Sequence, residues 1–177
     1  ISESTYLHLG HSYLRVGEEE KAKLSYAAAM RLNINSRVRE EAMYNYVQIT
    51  YLQGSALGDN ITAFQDFLRE YPNTKYTNNV YALMADMYMN SKNYKAAYDA
   101  LVGIKQPDAK MQETIQFLRY QLGIDAFLQG NMKEAANWMT QVIKNEKKSS
   151  HYKTEAYYMR AESRYRMLQY PACIEDI

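Results

Sequence analysis

The stretch Asn90–Leu101, NSKNYKAAYDAL, decides how the chain is read. Two adjacent alanines, Ala96 and Ala97, sit between Tyr94 and Tyr98, with no catalytic constellation beside them. Ala97 follows Lys92 by five residues, and the same spacing recurs along the chain. GEEEKAKLSY sets Ala22 five after Gly17, and GDNITAFQDF sets Ala63 five after Gly58. GNMKEAANWM sets Ala135 five after Gly130, and LQYPACIEDI sets Cys173 five after Leu168. The five small anchors are separated by 41, 34, 38 and 38 residues. A recurring period of this length marks a helical repeat array.

Each anchor is preceded by a stretch of helical period. Tyr81, Met84, Ala85 and Tyr88 share one face; so do Tyr6, Leu9, Gly10 and Tyr13, and Leu122, Gly123 and Ala126 follow the same rule. A shorter amphipathic stretch follows each anchor, as in Tyr94, Ala97, Leu101 and Ile104. The unit is therefore a helix, a tight turn and a second helix. Gly17 and Gly130 suit the left-handed residue that ends a helix. Asn131 with Glu134 reads as a capping box. Pro171 suits a first helical turn. Pro72 and Pro107 close one unit before the next. Gly54 and Gly58 both compete for the second turn, which predicts an insertion of about four residues in QGSALGDN, with Gly58 as the residue counted to the anchor.

Composition bounds the function. Lys+Arg is 21 and Asp+Glu 20, so no basic surface argues for nucleic acid or an anionic membrane. The best apolar run, VYALMADMYM, is broken by Asp86 and falls short of the roughly 20 residues of a membrane span. With one cysteine, Cys173, no intrachain disulfide forms, and its anchor position predicts a packed, inert thiol. His8 and His11 share a helix face, but a metal site needs three or four ligands, so no metal is expected. No phosphate loop, nucleophile elbow or zinc-spaced cysteine set occurs. The chain is read as non-catalytic, without cofactors. Lys144–Lys153, KNEKKSSHYK, is read as a solvated basic loop. The chain lacks an initiator Met and opens in helical pattern, which is the expectation for a piece of a longer protein.

These residues resemble the tetratricopeptide repeat (TPR), whose pattern is an aromatic, Leu-Gly, Tyr, then Ala, an aromatic and Ala, with a late Pro. The first unit carries Tyr6, Leu9-Gly10, Tyr13, Ala22, Tyr26 and Ala29. The third carries Tyr81, Met84-Ala85, Tyr88, Ala97 and Leu101. The fourth carries Leu122-Gly123, Ala135 and Met139, and the fifth Tyr157, Ala161 and Tyr165. The likeness spans the chain, as repeats of about 3–35, 36–73, 74–107, 108–147 and 148–177, the last truncated. It implies one all-α array, an α-α superhelix of about five hairpins. A narrower likeness rests on Phe64, Phe67, Tyr71-Pro72 and Tyr76. It is to bacterial outer-membrane assembly lipoproteins and cell-division coordinators, and implies a periplasmic, outer-membrane-associated scaffold.

The resemblance also implies a concave groove lined by first helices. Into it would point Leu7, His11, Leu14, Tyr44, Gln48, Tyr51, Asp86, Met89, Tyr120, Ile124, Phe127, Tyr158, Glu162 and Tyr165. Rigid rings with amides and acids suit a protein or peptide partner. Family members that grip a C-terminal carboxylate use Lys and Asn at places occupied here by Leu7 and His11, Tyr44 and Gln48, and Ala82 and Asp86, so that ligand is not expected. The alternative is a structural spacer, or a self-associating segment of a larger multi-repeat protein.

Overall fold

The computed structural model describes residues 2–54, 57–145 and 151–177, with the side chains of 57–59 and 151 set aside. Ten helices follow one another among the described residues: α1 (Glu3–Arg15), α2 (Glu19–Leu32), α3 (Ser36–Leu52), α4 (Leu57–Glu70), α5 (Thr77–Asn90), α6 (Tyr94–Val102), α7 (Ala109–Leu128), α8 (Met132–Asn145), α9 (His151–Arg166) and α10 (Tyr170–Ile174). They fall into two compact units, Ile1–Val80 and Tyr81–Ile177, with α5 beginning in the first and continuing in the second.

Four of the five hairpins close through the same turn. A left-handed residue ends the first helix at Gly17 (φ 80°), Lys92 (φ 58°), Gly130 (φ 80°) and Leu168 (φ 60°). In each, the following N–H reaches back to a carbonyl in the last turn of the helix: Glu18 to Tyr13, Asn93 to Tyr88, Asn131 to Ala126 and Gln169 to Arg164, all at 2.9 Å. These bonds close a Schellman motif and satisfy carbonyls that the helix end leaves open. In two of the four, an asparagine side chain caps the helix that follows. Asn93 Oδ1 accepts from the Ala96 N–H, and Asn131 Oδ1 from the Glu134 N–H, both at 3.3 Å. Glu134 returns to the Asn131 side-chain amide rather than to its backbone.

Two of these turns carry a side chain where glycine is cheaper. A left-handed non-glycine residue costs roughly 1–2 kcal/mol, partly offset by the extra chain entropy glycine brings to the unfolded state. Lys92 and Leu168 are both exposed, so little packing is lost on truncation. Lys92→Gly and Leu168→Gly are each expected to stabilise by about 0.5–1 kcal/mol, raising the midpoint of thermal unfolding.

The second hairpin departs from the expected register. Gly54 (φ 68°) takes the turn, and Gly58 lies inside α4. The expected insertion falls partly on residues 55 and 56, outside the described residues. Because α4 begins early, Ala63 is only half-buried while Phe64 and Phe67 turn fully inward. The other alanine anchors, Ala22, Ala97 and Ala135, are fully buried, as small residues at helix crossings should be.

In the first unit Leu7, Ala22, Tyr26, Ala29, Ala42 and Ile49 form the core of α1, α2 and α3. Gly10 lets α1 approach the Tyr26 ring: a methyl there would lie 2.5–2.9 Å from three ring carbons. Tyr26 hydroxyl is buried without a hydrogen-bond partner. Burial, then the Glu41 carboxylate, pushes its pKa up to about 12. A tyrosine whose folded pKa exceeds its unfolded value contributes stability that is present below the unfolded pKa, near 10, and lost as pH rises through the folded one. The chain is therefore expected to lose stability between pH 10 and about 12. Tyr26→Phe should remove that component and leave neutral-pH stability equal or higher, since an unpaired buried hydroxyl is deleted. Urea unfolding of both proteins at pH 7 and pH 11 checks this.

A second aromatic cluster joins α3, α4 and the 71–76 turn. Tyr44 stacks on Tyr76 at 3.8 Å and 9°, with Phe67 tilted against both. Arg39 binds Tyr71 hydroxyl at 2.9 Å, the Met30 carbonyl at 3.3 Å and the Glu70 carboxylate. Buried Glu3 accepts from the Asn35 N–H at 2.7 Å, tying the start of α1 to the start of α3.

In the second unit Met139, Val142 and Ala156 form a core between α7, α8 and α9, with Tyr120, Ile124, Tyr152 and Met159 packed on it. Short α10 is held by charge. The Asp176 carboxylate, 1% exposed, accepts from Arg160 Nε at 3.0–3.1 Å and from Arg164 at 2.8 Å. Arg160 also donates to Thr140, and Arg164 to the Ala172 carbonyl.

Candidate functional site

In the first unit the candidate residues divide by depth. Leu7 and Tyr44 are buried and belong to the core, so they support a surface rather than form one. Tyr44 is further fixed by its hydroxyl, which accepts from Gln48 at 2.7 Å and Asn79 at 3.3 Å. Half-buried His11 lies 3.7 Å from the Glu41 carboxylate and edge-on to Tyr26 at 5.6 Å. Tyr51 meets Phe64 edge-on at 6.3 Å, and Leu14 is exposed. Arg37, Glu40, Glu41, Asn73, Lys75 and Tyr76 line a polar cavity of about 390 Å³. Burial raises the Tyr76 pKa against the opposing pull of Lys75, whose ammonium lies 4.9 Å from the ring centre. Sequence reasoning missed this cavity because its residues come from a helix start and a turn, not from one helical stripe.

In the second unit Asp86 is exposed and Met89 half-buried. Tyr120 packs on Tyr152 at 5.2 Å, Ile124 lies on the α7–α9 core, and the Arg166 guanidinium covers Phe127 at 4.7 Å. Burial, then Glu155 and Tyr152, raises the Tyr120 pKa. Helix α9 therefore covers these three.

Tyr158, Glu162 and Tyr165 come together differently. They occupy one face of α9 and, with α10, line a cavity of about 800 Å³. Tyr158 is 70% and Tyr165 57% exposed. Tyr165 meets Tyr170 edge-on at 5.7 Å, and Glu162 accepts from Arg166 at 2.7 Å. Tyr157, Ala161, Cys173 and Ile177 add apolar wall, and Thr154, Glu175 and Asp176 polar wall. Cys173 is thus half-exposed at a cavity, where a fully packed thiol was expected, and no described element covers it there. The 38-residue spacing could have found Ile177, which stands in register with buried Met139.

Among the described residues no group of three or more His, Cys, Asp or Glu could hold a metal ion, and no helix is long and apolar enough to cross a membrane. His8 and His11 meet edge to face at 6.4 Å. The basic run Lys144–Lys153 lies largely on residues 146–150, outside the described residues.

No protein-family model matches the sequence, and no curated protein does. Solved structures do. A TPR-repeats protein from Bacteroides fragilis is 16% identical at a TM-score of 0.63, over 93% of this chain and 71% of that one. The TPR2AB domain of yeast Sti1, solved with an HSP90 peptide, is 14% identical at a TM-score of 0.54, over 98% and 74%. At such identity the likeness speaks to architecture alone. Together with four Schellman-closed hairpins and buried alanine anchors, it gives this chain the all-α helical-repeat fold of the tetratricopeptide-repeat proteins.

Proposed function

We propose that the chain is a non-catalytic scaffold that binds a protein or peptide through tyrosine-rich first-helix faces. The carrying observation is the α9–α10 face, where Tyr158 and Tyr165 stand exposed around a cavity of about 800 Å³. Large exposed rings grouped at a concavity are costly to leave in water and mark recognition surfaces. Half-buried His11, Gln48 and Tyr51 form the corresponding candidate face in the first unit. Of the Phe64, Phe67, Tyr71-Pro72 and Tyr76 pattern that pointed to the cell envelope, the four rings pack within the first unit and Pro72 is exposed, and the reading assigns no compartment.

The test is capture of partners from a lysate of the source organism. Wild type is expected to retain a partner that a Tyr158→Ala, Tyr165→Ala double variant retains at roughly a tenth of the level or less. Both side chains are exposed, so the variant should keep wild-type helicity by circular dichroism. Undiminished capture by the folded variant would overturn the reading. Tyr44 is unsuitable for this test, since truncating a stacked core ring would cost the first unit about 3–5 kcal/mol.

A further inference from the structure

Four charged side chains line the polar cavity of the first unit, and none is paired with another. Arg37 and Lys75 supply two positive charges, Glu40 and Glu41 two negative ones. No ion pair within 4.0 Å joins either cation to either carboxylate. Other groups hold them apart. Glu40 accepts from the Thr74 hydroxyl at 2.5 Å, and buried Thr74 in turn accepts from the Tyr76 N–H at 3.2 Å. Glu41 lies 3.7 Å from His11 on α1. The Lys75 ammonium stands 4.9 Å from the centre of the Tyr76 ring, which is stacked on Tyr44. The Arg37 and Asn73 side chains are exposed and have no partner among the described residues. Arg37 is also poorly placed for a purely structural cation. It stands in the first turn of α3, where the helix dipole disfavours positive charge. Glu41 follows one turn on, in the cation-then-anion order that is the weaker one for an i, i+4 pair.

We propose that this cavity binds a free α-amino acid with a small polar side chain, in its zwitterionic form. The α-carboxylate goes to Arg37, whose planar guanidinium suits two-point binding of a carboxylate, at the positive end of α3. The α-ammonium goes to Glu41. Residues four apart on a helix have Cβ atoms about 5–6 Å apart, so both long side chains reach charges carried on one α-carbon. Asn73 and the Tyr76 hydroxyl are left for the polar side chain. Charge balance selects the zwitterion. A simple anion would meet Glu40 and Glu41, and a simple cation would meet Arg37 and Lys75; like charges brought together oppose binding. The cavity, about 390 Å³, lies at the small end of the range for small-molecule sites, about 300–1,000 Å³. Such a site goes beyond the scaffold reading and does not depend on it.

The probe is L-serine, titrated into the whole chain and followed by backbone amide chemical shifts. Saturable shifts are expected, centred on residues 37–41 and 73–76. N-acetyl-L-serine lacks the ammonium and L-serinamide lacks the carboxylate, so each should bind roughly tenfold more weakly or worse. Arg37→Gln and Glu41→Gln should each weaken serine binding about tenfold. Arg37 is exposed, so its variant should keep the wild-type thermal midpoint. Lys110→Gln, on exposed surface of the second unit, should leave binding unchanged. No saturation by about 10 mM overturns the proposal. So does serine binding that Arg37→Gln or Glu41→Gln leaves intact, since the ligand then sits elsewhere. Equal binding of N-acetyl-L-serine would make this an anion site, and equal binding of L-serinamide a cation site; either overturns it. Equal binding of an acetylated, amidated Glu-Lys dipeptide would assign the cavity to a protein segment and overturn it as well.

Discussion

Replacing Asp176 with alanine is expected to destabilise the second unit by about 3 kcal/mol, the scale for breaking a buried ion pair. Its carboxylate is 1% exposed and receives Arg160, 12% exposed, and Arg164, 21% exposed. Without it, two largely desolvated guanidiniums face each other and keep Thr140, the Ala172 carbonyl and the Tyr157 ring face as partners, none of them anionic. Repulsion is relieved if α10 leaves, which lets both arginines reach water. That escape caps the cost at the docking energy of a five-residue helix and predicts where the damage appears. Amide exchange should accelerate in α9 and α10 and remain unchanged in α7 and α8. Asp176→Asn keeps an acceptor oxygen and should cost about half as much. Equal exchange in wild type and Asp176→Ala would show that the cluster does not hold α10.

Gly10→Ala is expected to cost about 2 kcal/mol even though alanine is the better helix former. The added methyl would lie 2.5 Å from Tyr26 Cε1, 2.7 Å from Cδ1 and 2.9 Å from Cζ. That ring is fully buried in the core of α1, α2 and α3, so it cannot swing away. Overpacking of this kind costs typically 1–3 kcal/mol or more, against a propensity gain near 1. Gly123 provides the comparison. A methyl there meets Met139 Cε at 2.5 Å, the free end of a flexible side chain, with Sδ at 3.2 Å and Trp138 Cβ at 3.3 Å. Methionine adapts more cheaply than a ring even when buried, so Gly123→Ala should cost less than Gly10→Ala, within about 1 kcal/mol. Thermal midpoints of the two variants should differ by several degrees, with Gly10→Ala the lower. Similar midpoints would mean that the Tyr26 ring yields as easily as the methionine.

The hairpin architecture was legible in the sequence because its causes are local. A left-handed residue, a cap one residue on and a small anchor five on are all encoded within a few positions. The turns at Gly17, Lys92, Gly130 and Leu168 fall where that spacing puts them. The second hairpin was misplaced because Gly54 and Gly58 satisfy the same local rule, and what selected Gly54 was the burial of Phe64 and Phe67 on α4. The aromatic likeness of the first hairpin likewise has a local expression with a tertiary cause: Gly10 is small because Tyr26 lies on it.

Site depth was not legible. Tyr44, Tyr120 and Tyr158 share one kind of position on a first helix, and periodicity cannot rank them. Tyr44 is buried because Tyr76 stacks on it, Tyr120 is half-buried because α9 crosses it, and Tyr158 stands exposed because no described element lies over it. A tyrosine's hydrophobic ring and polar tip tolerate all three settings, so the residue type carries no information about which applies. By itself the sequence determined an all-α series of helical hairpins, their period and most of their turns, because backbone conformation and helix-face periodicity are written residue by residue. Only the tertiary structure decided which rings are core and which form a surface, because burial depends on what packs across a face from another helix.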